Sequence, residues 1–239
     1  MVGFVFCCIL FSFLIMETLY TVLGRDLINT IFLSTSFLVL FAFGELLYHV
    51  FKVKAELTRK WSHVGTGFLT MLFPVMLSNH WWVLVLCATF AVLLSTSIKF
   101  NFLKSINAVD RDTVGSLCYP LAVYTSFLTS VWKGNTMFFY LPILIMALAD
   151  PAAALVGKRW PWKPYAVGKQ KKSVAGSLAF LVVSTMLAIY FLGGNMTNEH
   201  VWLVLTIAVS SALAEAFSAK GYDNVTIPWT VIAICAMFI

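Results

Sequence analysis

Apolar residues run along this chain in nine blocks of helix-spanning length. They cover residues 3–23, 27–51, 61–79, 81–98, 113–132, 137–157, 173–193, 200–220 and 224–239. A helix that crosses a bilayer uses about 20 mainly apolar residues. The pattern therefore predicts an all-α, polytopic integral membrane protein with eight or nine transmembrane helices. The first block has no basic stretch ahead of it and no convincing cleavage site before Arg25, so it reads as a span and not as a signal peptide. The last block is short and holds Pro228, which predicts a tilted or partly re-entrant segment. No repeat, low-complexity tract or linker interrupts the series, so residues 1–239 read as a single transmembrane domain.

Composition supports the same class. Of 239 residues, 61% are hydrophobic and 11% are charged, against about 25% charged in ordinary soluble domains. A cytosolic globule of this size needs more polar surface. Disorder is excluded by the abundance of apolar and aromatic residues. The five cysteines, Cys7, Cys8, Cys87, Cys118 and Cys235, lie in apolar stretches without a CxxC or Cys/His cluster. They read as free thiols, not as disulfides or metal ligands.

Charge placement adds orientation. Sixteen residues are Lys or Arg, and all but Arg25 and Lys133 fall in the second, fourth, sixth and eighth intervals between blocks. Cytoplasmic loops carry the Lys/Arg excess. The N-terminus and these four loops are therefore expected in the cytoplasm, with the C-terminus on the far side. The net charge of +6 then reflects orientation before any affinity for nucleic acid. Two N-x-T sequons begin at Asn195 and Asn224, the second on the cytoplasmic side of this topology.

Ionisable groups inside a bilayer are costly and point to function. Glu45, Asp150 and Glu215 precede Lys52, Lys158 and Lys220 by seven, eight and five residues. At 1.5 Å per residue they lie roughly 8–12 Å below the cytoplasmic loops. Three helices thus bring carboxylates to one depth, which predicts a shared water-filled cavity; simple pairing with nearby cations is the plainer alternative. Glu17 lies toward the outer end of its helix and reads as an interfacial residue.

Two basic clusters accompany these acids. Arg59 and His63 stand four apart beside Lys60 and Trp61, so they share a helix face where the third helix enters the membrane, a pattern suited to an anion. Segment 149–178 carries Lys158, Arg159, Lys163, Lys169, Lys171 and Lys172, then opens a helix with Ser173, Gly176 and Ser177. A helix N-terminus offers free N–H groups and a positive dipole end, and small residues let phosphate approach. No Walker A pattern is present. Spacing alone leaves open whether loop 158–172 binds a nucleotide or anionic lipid heads. Asp223 and Asn224, with Glu215 two turns earlier, form either a turn with an N-cap or a set of oxygen ligands for Mg²⁺.

The ordered set of motifs resembles the CTP-dependent polyprenol kinase family, with its dolichol, phytol and farnesol kinases. Glu56-Leu-Thr-Arg-Lys-Trp-Ser-His63 is similar to that family's E-x-x-R-K-x-x-H, and Gly115-Ser-Leu-Cys-Tyr-Pro120 to its G-x-x-x-Y-P. Asp150-Pro-Ala-Ala-Ala-Leu-Val-Gly-Lys158 resembles D-x-x-A-x-x-x-G-K/R, and Lys172-Ser-Val-Ala-Gly-Ser177 resembles K-S/T-x-x-G-S. Glu215 with Asp223-Asn224-Val-Thr-Ile-Pro228 completes the series, which spans residues 56–228. Ala175, where dolichol kinases often carry Glu, is similar to the phytol and farnesol kinase branch. The Pro161-Trp-Lys-Pro164 stretch departs from the family's second glycine.

The resemblance implies transfer of the γ-phosphoryl group of CTP to a membrane isoprenoid alcohol at a cytoplasm-facing site. It implies that Lys158, Lys169, Lys171 and Lys172 hold the triphosphate, with Ser173, Gly176 and Ser177 supplying helix-end contacts and Arg59 neutralising charge. Asp150, Glu215 and Asp223 or Asn224 would hold Mg²⁺, and Asp150 or His63 would take the alcohol proton. Cytidylyl transfer, as in CDP-diacylglycerol synthases, diacylglycerol phosphorylation, secondary transport and a lipid-gripping scaffold are the competing readings.

Overall fold

The computed structural model describes residues 24–100, 102–107, 114–168, 170–193 and 198–239. The first apolar block, with Glu17, Cys7 and Cys8, lies outside them, as do Arg111, Lys169 and Asn195.

Each of the other eight blocks forms helix. Helix α1 is Arg25–His49, α2 Ala55–Thr70, α3 the short Phe73–Met76, α4 His80–Phe100 and α5 the short Lys104–Asn107. Then follow α6 Gly115–Lys133, α7 Met137–Leu144, α8 Asp150–Arg159, α9 Val174–Leu192, α10 Asn198–Phe217 and α11 Asp223–Phe238. Five of these segments are long and apolar enough to cross a membrane: α1, α4, the continuous Met137–Arg159, α9 and α10. Helices α2 and α11 have 16 residues each, and α6 is diluted by hydroxyl side chains such as Thr125, Ser126 and Ser130. The expected block at 61–79 is broken in two, because Pro74 opens α3 and cannot continue the hydrogen-bond ladder of α2.

The all-α expectation misses one feature. Within the basic loop, β1 (Pro164–Val167) and β2 (Gln170–Ser173) form an antiparallel hairpin, with Tyr165 opposite Lys172 and Val167 opposite Gln170. Gly168, at φ 59°, makes the tight turn. The run of lysines hid the strands, because a basic loop in a membrane protein is normally just solvated chain.

Segment Met137–Arg159 is the centre of the fold. Phe138, Phe139, Leu141, Ile143, Ile145 and Met146 are all essentially inaccessible. Its middle, Ile145–Ala149, is a π-helical turn that joins α7 to α8. Pro151 follows at the start of α8 and has no N–H to donate one turn back, so the widened turn absorbs the mismatch. Around this axis, α9 packs on α8 and α10, α11 on α10 and α6, α6 on α4, and α1 on α2. Outward-facing residues such as Val39, Val92, Met186 and Trp202 are large, apolar and exposed, which suits a lipid-facing surface.

Helices α8 and α9 approach closely because glycines meet. A Cβ on Gly176 would lie 2.8 Å from the Ala153 carbonyl oxygen and 3.4 Å from the Gly157 Cα. Gly176→Ala is therefore expected to cost about 1–3 kcal/mol of stability and to lower the melting temperature in detergent. Gly193→Ala, where the nearest atom is 3.5 Å away, is expected to leave it unchanged.

Candidate active site

The site begins with one face of α2. Glu56, Arg59, Lys60 and His63 follow at helical spacing, and all four line a polar cavity of about 390 Å³. That volume falls in the ~300–1,000 Å³ range of small-molecule sites. The opposing wall comes from α8, with Asp150, Gly157 and Lys158, and from β2 and the start of α9, with Lys171, Lys172, Ser173, Gly176 and Ser177. Glu215 of α10 and Asp223 and Asn224 of α11 close it.

The buried acids are held by lysines from other elements. Asp150, 8% exposed, receives Lys60 Nζ at 2.7 Å on Oδ2, and His63 Nε2 stands 3.9 Å from the same oxygen. The His63 ring also meets the Met146 carbonyl oxygen through Nε2 at 3.1 Å, inside the π turn. Glu215, 5% exposed, accepts from Lys172 Nζ at 2.7 Å on Oε1, and Lys172 also donates to the Glu215 carbonyl oxygen. Lys158 pairs with Glu56 at the mouth.

The Gly-x-x-x-Tyr-Pro motif of α6 carries no charge, and sequence reasoning gave it no role. Its structural contribution is plain. Gly115 leaves room where a Cβ would come within 3.0 Å of Asn224 Nδ2 and 3.1 Å of Arg59 Nη2. The Asn224 amide donates to the Gly115 carbonyl oxygen at 2.8 Å. One turn on, the Tyr119 ring packs edge-on against His63 with centroids 5.1 Å apart, and its hydroxyl donates to the His63 carbonyl oxygen at 3.4 Å. The motif thus positions Arg59, His63 and Asn224 together.

Most sequence-predicted site residues converge here: Arg59, His63, Asp150, Lys158, Lys171, Lys172, Ser173, Gly176, Ser177, Glu215, Asp223 and Asn224. Lys169 lies outside the described residues. Three expectations change. Glu45 is at the predicted depth but not in the cavity: it accepts from the Ser105 N–H at 2.8 Å and pairs with His49 at 3.1 Å, tying α1 to α5. Of the basic loop 158–172, Arg159 and Lys163 are not among the cavity's lining residues and stand 5.9 Å and 5.0 Å from the Trp160 and Trp162 ring centroids. The Gly176 N–H is satisfied by its own helix cap, the Ser173 Oγ at 3.1 Å, so Ser173 shapes the helix end instead of leaving that donor free. Lys60 and Glu56 were missed as partners; their spacing to His63 was the available signal.

The donor set has the character of a divalent-cation site completed by ligand. Among the described residues, no three His, Cys, Asp or Glu side chains form a ready-made metal cluster. Yet Glu215 Oε2 is buried without a hydrogen-bond partner among them, and Asp150, Asp223 and Asn224 line the same cavity. Mg²⁺ characteristically takes one or two carboxylates and completes its shell with phosphate oxygens and water, so these residues fit it.

Comparison with known proteins adds the family. The phytol kinase of Synechocystis sp. is 34% identical over 188 residues, covering 77% of this chain and 80% of the relative. No family model matches the chain, and no solved structure matches it. Identity at that level over most of both chains, together with motifs that converge on one cavity, settles membership: the chain belongs to the polyprenol and phytol kinase family, the lipid-alcohol kinases.

Proposed function

We propose that this protein transfers the γ-phosphoryl group of CTP to an isoprenoid alcohol, of the phytol or farnesol and geranylgeraniol class, with Mg²⁺ at a site that opens to the cytoplasm. The observation that carries this reading is the cavity in which Arg59, Lys60, Lys158, Lys171 and Lys172 converge on Asp150, Glu215 and Asp223. Phosphoryl transfer depends mainly on positioning and charge neutralisation, and that is what this lining offers. CTP as the donor rests on the family resemblance.

In the proposed reaction the alcohol oxygen forms a bond to the γ-phosphorus, the bond from that phosphorus to the β–γ bridging oxygen breaks, and CDP leaves. Lys158, Lys171 and Lys172 grip the phosphates, and Arg59 neutralises charge from the α2 side. Mg²⁺, when bound, supplies further neutralisation of the phosphate oxygens, with Glu215, Asp223, Asn224 and Asp150 as its protein ligands. His63 takes the alcohol proton. Asp150, 3.9 Å away, stabilises the resulting imidazolium.

Purified protein in detergent, given γ-labelled CTP, Mg²⁺ and a prenyl alcohol, is expected to yield labelled lipid. Chelation with EDTA is expected to abolish the signal. Label entering lipid from the α position would instead establish cytidylyl transfer. Replacing His63 by Gln is expected to lower kcat by about 10²–10⁴-fold, the usual weight of a general base; an unchanged kcat would remove His63 from that role.

The Lys172–Glu215 pair separates stability from chemistry. Lys172→Met alone strands a buried carboxylate and is expected to cost about 3–5 kcal/mol. Lys172→Met combined with Glu215→Gln is expected to regain most of the melting temperature while remaining inactive.

A further inference from the structure

A second cavity lies beneath the first, and its lining is of the opposite kind. It runs between α1, α2, α4 and α6 and is walled by Phe37, Phe41, Phe73, Leu86, Phe90 and Val123. Its polar end is made by Arg59, His63 and Asn224, and these three residues also line the charged cavity. The two spaces therefore meet at His63, to which the proposed reaction assigns the acceptor's proton, with Arg59 and Asn224 beside it.

We propose that this channel holds the hydrocarbon tail of the acceptor, a single isoprenoid chain, and that its closed inner end sets the chain length accepted. The inference rests on the lipid-alcohol kinase reading and specifies where the tail goes. Three observations carry it beyond that reading. The channel is small, about 90 Å³ against about 390 Å³ for the polar cavity, which suits one chain better than the paired chains of a diacylglycerol. Its inner end is closed by Phe37, Phe73 and Leu86, each no more than 3% exposed. Phe37 packs edge-on against both Phe73 and Phe90, with centroids 6.0 Å and 5.0 Å apart.

Geometry sets the length. From Arg59 to Thr70, both in the lining, α2 rises about 16 Å at 1.5 Å per residue. That accommodates a zigzag of roughly a dozen carbon–carbon bonds of about 1.5 Å each, the backbone of about three or four isoprene units. A much longer polyprenol would have to leave the channel.

The test needs a readout that does not depend on catalysis. Full-length protein in nanodiscs, without nucleotide, is irradiated with a C15 prenyl alcohol that carries a diazirine at its tail end, and labelled peptides are mapped. Label is expected on the peptides holding Phe37, Phe73 and Phe90, and a C20 prenyl alcohol is expected to compete where diacylglycerol does not. Label on the lipid-facing residues Val39 and Val92, indifferent to competitor, would overturn the proposal. A kinetic arm uses Val123→Phe, which shortens the channel. Its kcat/KM is expected to fall about ten-fold further for a C20 than for a C10 alcohol, a discrimination of the size apolar pockets achieve. An unchanged chain-length profile would count against the channel. Labelled inner-end peptides without phosphorylation of any alcohol would uphold the channel while the kinase reading fails. Phosphorylation with the label elsewhere would do the reverse.

Discussion

Two lysine–carboxylate pairs are the constraint around which this fold is arranged. Asp150 and Glu215 sit on apolar segments long enough to cross a membrane, where an unpaired charge would cost several kcal/mol. Neither acid is neutralised by its own helix. Lys60 reaches Asp150 from α2, and Lys172 reaches Glu215 from the hairpin strand β2. The pairs therefore fix two relations that apolar packing could leave free: the rotation of α2 against the central segment, and the docking of the hairpin over α10. Hydrocarbon contacts are interchangeable, whereas a buried ion pair has one partner and one register.

Glycines make these pairings reachable. Gly157 and Gly176 let α8 and the start of α9 come together, and Gly115 leaves space for Arg59 and Asn224. Small residues at helix contacts are the usual means of close approach in membranes. Here close approach also narrows the cavity, so that charges from five elements face one volume. The π turn at Ile145–Ala149 acts in the same direction, since the Met146 carbonyl oxygen it places near His63 helps to fix that ring.

Much of this was legible in the sequence, and the failures have a common cause. Spacing along one helix gives the shared face of Arg59 and His63 directly, and apolar block length gives the helices. Depth in the membrane also follows from sequence distance, which is why Glu45 seemed to belong with Asp150 and Glu215. Depth does not give direction around the bundle axis, and Glu45 points to α5 instead. The hairpin was concealed by lysines whose strand alternation resembles a plain charge run. The opening of α9 at Ser173 reads as free helix-end N–H groups for phosphate, because caps and phosphate loops use the same residue types at the same place. The tail channel was illegible for a different reason: its phenylalanines are indistinguishable from core residues until four helices are assembled.

Charge counting ties the metal to the nucleotide on the proposed reading. The described lining of the polar cavity holds five Lys and Arg side chains against four carboxylates, Glu56, Asp150, Glu215 and Asp223. The cavity is thus nearly neutral, as a site within membrane helices must be. A nucleoside triphosphate brings roughly four more negative charges, and two of the three lysines that would meet it, Lys158 and Lys172, are already engaged with carboxylates. Binding the nucleotide alone would leave those carboxylates uncompensated in a poorly solvated space. On that reading a divalent cation held by Glu215 or Asp223 would return the balance to within about one charge, leaving the lysines for phosphate. The paired lysines would then have two uses, holding the acids in the empty protein and the phosphates in the loaded one.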